Sequence, residues 1–386
     1  MADRRELTAR SGGAVLIAGW TAWWAWRIWP ISGLSWHFFT DGSRWLLRGP
    51  RLDLYALHPE LQIGPLSLLV AGLLLPLSAA TAKSVALVVM AGVGPLLIAA
   101  LAPLVTGRRR GLRLLLAAAL VVPAWTVLAV RWGHLDDVLA MSAAVLALRA
   151  VVANRPVLAG AALGAGIAAK PWAVGFLPLV LAADRQRLRM AATATVGTLL
   201  AWAPFLIATT RTMTALHPPV ALAPSSGLHA FGVRGSRVPV WGRTAQLLTA
   251  PLLAAGAALG RRWPGVLLVA IAVRLALDPQ DNAYFIGSAV LAAAVFDLLG
   301  TSWTVPWTTL VTAVSLWQPF VHDYSRRLSS TTGPAHWWFA HPEVVGWIHL
   351  GWSMAACLLV LALPAHPDRQ LGHEGQGWYD GRPTGS

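Results

Sequence analysis

Apolar runs of about 20 residues recur along this chain, among them 81–106, 112–130 and 190–208, and short groups of arginines separate them. As an α-helix such a run crosses the roughly 30 Å hydrocarbon core of a bilayer. The runs are continuous and rich in Leu and Ala, without the period-2 alternation of barrel strands, so the spans read as helices. Charge points the same way. Only 12% of the residues are charged, against about 25% in ordinary soluble proteins, and 56% are hydrophobic. With a mean hydropathy of +0.59, too few charges remain to cover a water-facing surface. The fold class expected is all-α: a polytopic helical membrane protein.

The formal net charge of +14 does not imply a nucleic-acid partner. The basic residues stand in twos, threes and fours at the ends of spans, the usual mark of loops held on the cytoplasmic side. The single Cys357 excludes an intramolecular disulfide and CxxC chemistry. Residues 13–31 carry Trp and Arg without a small-residue cleavage site, and read as a first span that is retained.

Arg4, Arg5 and Arg10 place the N-terminus in the cytoplasm. A first outer loop, 32–80, then carries interfacial helices. Its apolar segment 64–78 begins Gly-Pro, meets Pro76 and is too short to span, so it is expected at the outer face. Spans follow at 81–106, 112–130 and 135–152. The tract 157–183 is interrupted by Lys170-Pro171 and has arginines on both sides, which predicts a hairpin of two short half-helices, 157–169 and 171–183, with an outward tip. Further spans are read at 190–208, 243–260, 263–277, 283–299, 302–320 and 344–364, about twelve in all. The domain reading is a module over 1–210, a second transmembrane module over 211–364 with outer loops 209–242 and 321–343, and a disordered cytoplasmic tail, 365–386.

This arrangement collects the polar chemistry on the outer face. Asp41 lies among Phe38, Phe39, Trp45, Leu46 and Leu47, which would pin it where a lipid head group meets water; the alternative is a helix N-cap. Asp136 and Asp137 open the span from 135 after Gly133-His134. Acids in a first turn complement the helix dipole and face water, the role expected of Asp137. Asp136, as a second acid beside Asp41, fits general-base work, cation binding or orientation of sugar hydroxyls. Lys170 is the most informative residue: of thirty basic residues only Lys83 and Lys170 are lysine. A charge between two apolar half-helices costs about 2.5–3.5 kcal/mol on insertion scales, which marks a functional candidate unless it snorkels to the interface. As a compact point charge it suits a phosphate. Arg274 precedes Asp278 by four residues, which permits a local ion pair or a phosphate or sugar contact. His217, His229, His322, His336 and His341 show no HExxH or regular spacing. A dedicated transition-metal site is therefore not expected, while a loosely held divalent cation stays open. The twenty-one tryptophans suit an interfacial belt, a few of them stacking on sugars.

The order of these elements resembles the membrane-embedded glycosyltransferases of the GT-C fold. Within them it is most similar to the bacterial polyprenyl-phosphate-mannose-dependent mannosyltransferases. The resemblance is carried by Leu54-Tyr55-Ala56-Leu57-His58-Pro59 through Gly64-Pro65-Leu66, by Gly133-His134-Leu135-Asp136, and by Leu158-Ala159-Gly160-Ala161-Ala162-Leu163-Gly164 through Lys170-Pro171. It covers about 13–210 and departs at Gly133-His134-Leu135-Asp136, where that group commonly has Gly-Gln-x-Asn. It implies an inverting transfer of mannose or arabinose on the extracytoplasmic face. The donor is a polyprenyl-phosphate sugar among membrane lipid, and the acceptor a lipid-linked or cell-wall glycan. Asp41 would be the general base, with Asp136, Asp137 and His134 orienting sugar or acceptor. Lys170, Arg131 and Arg274 would bind the donor phosphate, and His58, Asp278, Tyr284 and His336 would contact substrate. A transporter or lipid flippase is the competing class. It often shows two related halves, and the order from Asp41 to Lys170 does not recur in 210–386. A non-catalytic protein of the same fold is a third reading.

Overall fold

Proline and serine start many of the helices. Pro65, Pro156 and Pro342 stand in the first turn of their helices, where a missing N–H costs nothing. Ser78 caps its helix by accepting from the Thr81 N–H at 3.2 Å. The computed structural model describes residues 2–48, 52–107, 109–183, 186–216, 220–316 and 333–363. They form α1 (Ala2–Ile28), α2 (Trp36–Leu47), α3 (Leu54–Leu57), α4 (Pro65–Gly72), α5 (Ala79–Leu101), α6 (Arg110–Thr126), α7 (Leu135–Val152) and α8 (Pro156–Ala169). A 3-10 helix, Pro171–Ala182, precedes α9 (Arg187–Ala208), α10 (Gly227–Ala230), α11 (Val240–Leu259), α12 (Val266–Leu277), α13 (Phe285–Gly300), α14 (Trp307–Leu316), α15 (Gly333–Ala340) and α16 (Pro342–Ala362). The only extended pairing among the described residues is an isolated bridge between Ala221 and Arg237.

Among the described residues, four segments are long and apolar enough to cross a membrane: Ala79–Leu104, Arg110–Trp132, Arg187–Ala208 and Pro342–Ala362. Five apolar helices among the described residues are shorter, including α8, the 3-10 helix, α13 and α14. Large apolar side chains cover the outside of the bundle, for example Ile207 at 84% exposure. Water penalises such a surface by about 25 cal/mol per Å², and lipid accommodates it. The short helix α4 is consistent with the expectation that 64–78 does not span. The end of the expected span 302–320, most of the loop 321–343, His217, His322 and the tail 365–386 lie outside the described residues.

The interrupted tract is a hairpin. Gln186 Nε2 donates to Asn154 Oδ1 at 3.3 Å, which brings the two feet together and leaves Lys170 at the tip. Its second arm is a 3-10 rather than an α-helix. At about 2.0 Å per residue the twelve residues of that arm extend about 24 Å. The hairpin packs between α7 and α9 on one arm and against α11 and α12 on the other.

A second irregularity faces the tip. Pro123 interrupts the hydrogen-bond ladder of α6, and the helix continues as a π-helical turn, Val127–Trp132, ending at Gly133 in the left-handed region (φ 68°). A side chain there would be strained and would crowd Gly33 and Leu87. The last carbonyls of this turn find partners in the first loop. Gly33, Leu34 and Ser35 donate their backbone N–H groups to Val130, Arg131 and Trp132 at 2.9, 3.0 and 2.8 Å. These bonds dock the start of α2 onto the start of α7.

The opposite end of the bundle is closed by arginine. Buried Arg113 caps the C-terminus of α13 through the carbonyls of Asp297 (2.6 Å) and Thr301 (2.8 Å). Asp297 in turn accepts from the Thr309 N–H at the start of α14 (2.7 Å).

Candidate functional site

Several elements meet at the hairpin tip. Pro171 cannot continue α8, and the residue before a proline prefers extended backbone; Lys170 accordingly sits at φ −150°, ψ 117°. The first outer loop holds the tip, because the Ala169 carbonyl accepts from the Gly64 N–H at 2.9 Å and the Ser67 hydroxyl at 3.1 Å. So placed, the Lys170 ammonium donates to Asp136 and lies 3.5 Å from Asp137. Both acids stand in the first turn of α7 and are fully buried.

Asp137 Oδ1 accepts from Arg274 Nη1 at 3.0 Å and from the Trp172 indole at 3.2 Å. The Arg274 guanidinium lies 4.2 Å from the ring centroids of both Trp172 and Phe285, close enough for cation–π attraction. His134 Nδ1 is 3.3 Å from Asp136 and 3.4 Å from Asp137, and its ring stacks on Tyr284 at 3.6 Å. Two carboxylates thus face two cations inside the protein. Buried charges persist when paired in this way, and removing one partner strands the other at a cost of about 3–5 kcal/mol.

The cluster forms part of the wall of a cavity of about 490 Å³. Asp136, Lys170, Arg274, Asp278 and His134 line it, with aromatic surface from Phe39, Trp172 and Tyr284 and apolar surface from Trp202, Leu206 and Leu247. Tyr55 also lines it, donating its hydroxyl to the Ile63 carbonyl at 2.8 Å. Burial pushes that phenol well above its ordinary pKa, so it remains a neutral donor.

The structure brings together Lys170, Asp136, Asp137, His134, Arg274 and Tyr284, and it corrects several local readings. Asp137 does not face water; it is buried against Arg274. Arg274 pairs with Asp137 instead of Asp278, because the α12 helix ends at Leu277 and the Asp278 carboxylate takes Gln246 Nε2 (3.4 Å) and the Gln280 N–H (3.1 Å). Lys170 is buried and pairs with Asp136, in keeping with the functional reading over the snorkelling alternative. Arg131 is buried in the π turn and makes contacts within the fold. The site also draws Arg274, Asp278 and Tyr284 from the second of the two expected modules.

Asp41 stands apart. It lies inside α2 and is therefore no N-cap, and its carboxylate holds Arg44 at 2.8 Å on an exposed face. It does not line the cavity, though Phe38, one helical turn before it, does. His58 stacks on Trp45 at 3.8 Å and pairs with Glu60 at 3.1 Å; Glu60 lines the cavity and His58 does not. His336 is exposed on α15 and also does not line it. Sequence reasoning passed over Trp172, Gln246 and Arg243. The last two are three residues apart at the start of α11, a spacing that signals a shared helix face but not what that face meets.

Comparison with protein-family models, with curated proteins and with solved structures finds no match to this chain.

Proposed function

We propose that this protein is an integral membrane glycosyltransferase. It would move a sugar, mannose in the favoured case, from a polyprenyl-phosphate donor to a lipid-linked or cell-wall glycan acceptor, with a GT-C-like arrangement of about twelve spans. The observation that carries the reading is the buried Lys170–Asp136–Asp137–Arg274 cluster on the wall of a cavity that also presents polar side chains (Glu60, Gln62, Arg243, Asp278) and a broad aromatic and apolar surface. Ionisable residues gathered at membrane depth are functional by default, and a half-polar, half-apolar cavity suits a sugar phosphate carried on an isoprenoid. Trp202 and Leu206 line the cavity and belong to α9, an apolar helix whose surface is largely unburied; in this reading a lipid chain would lie along that helix and enter the cavity beside them.

The same reading orients the molecule. The end that carries the cluster is extracytoplasmic, and the end with Arg113, Arg155 and Arg262 is cytoplasmic with the N-terminus, as positive-inside charge predicts.

In the transfer, the acceptor oxygen forms a bond to the anomeric carbon from the face opposite the phosphate, the C1–O bond to phosphate breaks, and its electron pair leaves on the phosphate oxygen. The hydroxyl proton passes to Asp41, as general base, while the sugar develops oxocarbenium character. Lys170 and Arg274 balance the charge on the departing phosphate. Asp136, Asp137 and His134 hold these cations and the sugar in place, and Asp278 and Tyr284 contact substrate from the facing wall.

The reading includes no resident metal. His134, Asp136 and Asp137 offer three ligand atoms within 4.8 Å of one another, but Lys170 and Arg274 already balance the two carboxylates. A divalent cation would have to displace the ammonium. The deciding experiment is transfer from labelled polyprenyl-phosphate mannose by the purified protein in detergent. Transport needs a sealed membrane and transfer does not, so product formed in micelles supports the enzyme, and none formed with any polyprenyl-phosphate sugar overturns it.

A further inference from the structure

Among the described residues Lys170, Arg243 and Arg274 bring cationic side chains to the cavity, and their charges are met differently. Lys170 and Arg274 face Asp136 and Asp137. Arg243 donates instead to Gln62 Oε1 at 2.7 Å and Gln246 Oε1 at 2.6 Å. Both are neutral amides, and no carboxylate lies within ion-pair distance of Arg243 among the described residues. Asp278 is reached only through Gln246. The amides fix the guanidinium without neutralising it, and N–H donors of the fork stay uncommitted.

Arg243 also lines a smaller adjoining cavity of about 90 Å³, together with Arg237. Val220 and Pro279 are shared by the two cavities. The smaller one has the volume of about three waters, enough for a tetrahedral anion. Arg237 is held there by backbone pairing, with the Ala221–Arg237 bridge reinforced by the Val238 N–H donating to Val220 at 3.0 Å. No Asp or Glu occurs anywhere between Asp184 and Asp278, so the segment that supplies both arginines carries no internal counter-charge.

We propose that Arg243 and Arg237 form a phosphate-ester subsite, separate from Lys170 and Arg274, in which a phosphate group is held beside the cavity. A guanidinium fork matches a phosphate better than an ammonium does, and a cation whose charge is not met inside the fold attracts an incoming anion more than one already paired. The inference rests on the glycosyltransferase reading only in taking the ester to be lipid-linked.

The test measures binding of radiolabelled farnesyl phosphate and of inorganic phosphate to the full-length protein in detergent, with no acceptor present. Arg243→Gln should raise the Kd for farnesyl phosphate about tenfold or more, the usual size for a lost charge-assisted hydrogen bond, and flatten its salt dependence. Arg237→Gln should raise it severalfold, and Arg243→Lys should restore part of the loss. Arg234→Gln should leave binding unchanged, because Arg234 is tied to the His229 carbonyl in the same loop and lines neither cavity. Competition by inorganic phosphate, lost in the same variants, identifies the phosphate group as sufficient; binding of farnesyl phosphate alone identifies a lipid-linked ester. Either supports the subsite. Unchanged affinity in Arg237→Gln and Arg243→Gln proteins that melt like the wild type overturns it, and so does an equal loss in Arg234→Gln. Arg237 is exposed and outside the Gln62–Arg243–Gln246 network, so it decides the matter if Arg243→Gln does not fold. Binding stays readable if the wild type transfers no sugar, and a wild type that transfers sugar without needing these arginines for binding sinks the subsite alone.

Discussion

The backbone N–H of Gly64 donates to the carbonyl of Ala169 at 2.9 Å. A Cβ on Gly64 would lie 2.1 Å from the Ala168 carbonyl oxygen and 2.6 Å from the Ala169 carbonyl. The first outer loop therefore grips the hairpin tip backbone to backbone, one residue before the lysine that meets Asp136. Glycine here answers a need for close approach, not for an unusual dihedral angle.

Gly64→Ala is expected to push the tip away from the loop, because both colliding groups are backbone and neither can swing aside. Overpacking of this kind costs about 1–3 kcal/mol, and the displacement falls on Lys170. A lower melting temperature in detergent together with a loss of transfer is the expected outcome. Wild-type melting and activity would show that the grip does not position Lys170.

The Asp137–Arg274 pair should behave as a coupled unit. Asp137→Asn and Arg274→Met each strand a buried partner and should destabilise by about 3–5 kcal/mol. The double variant removes both charges and should cost less than the sum, with a coupling of about 0.5–3 kcal/mol. Unfolding of the four proteins in one detergent measures the cycle; additive losses would mean the two side chains do not interact.

Lys170 was legible in the sequence because one of only two lysines in an arginine-rich chain, set between two apolar half-helices, has no cheap place to go. The hairpin was legible from arginines on both its sides. Asp137 and Arg274 were misjudged for a physical reason: proximity four residues along a helix can be read from spacing, but the partner Arg274 takes is 137 positions away. The π turn at Val127–Trp132 was equally hidden, since Pro123 announces a break in the ladder without saying how the chain repairs it. Arg243 looked like any arginine near a span end, and only the Gln62 and Gln246 contacts distinguish it.

Asp41→Asn tests the base assignment with little risk of unfolding. Its partner Arg44 is about as exposed as Asp41 itself, at 45% and 42%, and exposed ion pairs contribute about 0–1 kcal/mol. Loss of a general base lowers turnover about 10²–10⁴-fold. The expected result is a fall of that size with unchanged melting and unchanged farnesyl phosphate binding. Retained transfer would remove Asp41 from the reaction and turn attention to Asp278 and Glu60, whose side chains line the cavity.

Charge balance at the tip decides how the protein responds to chelators. In the wild type the carboxylates of Asp136 and Asp137 are met by Lys170 and Arg274, so EDTA should change neither melting nor transfer. Lys170→Met removes the ammonium and leaves Asp136 beside His134 and Asp137, three ligand atoms within 4.8 Å of one another with one negative charge in excess. That variant should be inactive and destabilised, and Mn²⁺ should raise its melting temperature while leaving the wild type unmoved, because a ligand that binds only the folded state stabilises it by mass action. Stabilisation of the wild type by Mn²⁺, or its loss of activity in EDTA, would show that the cluster holds a cation in spite of Lys170.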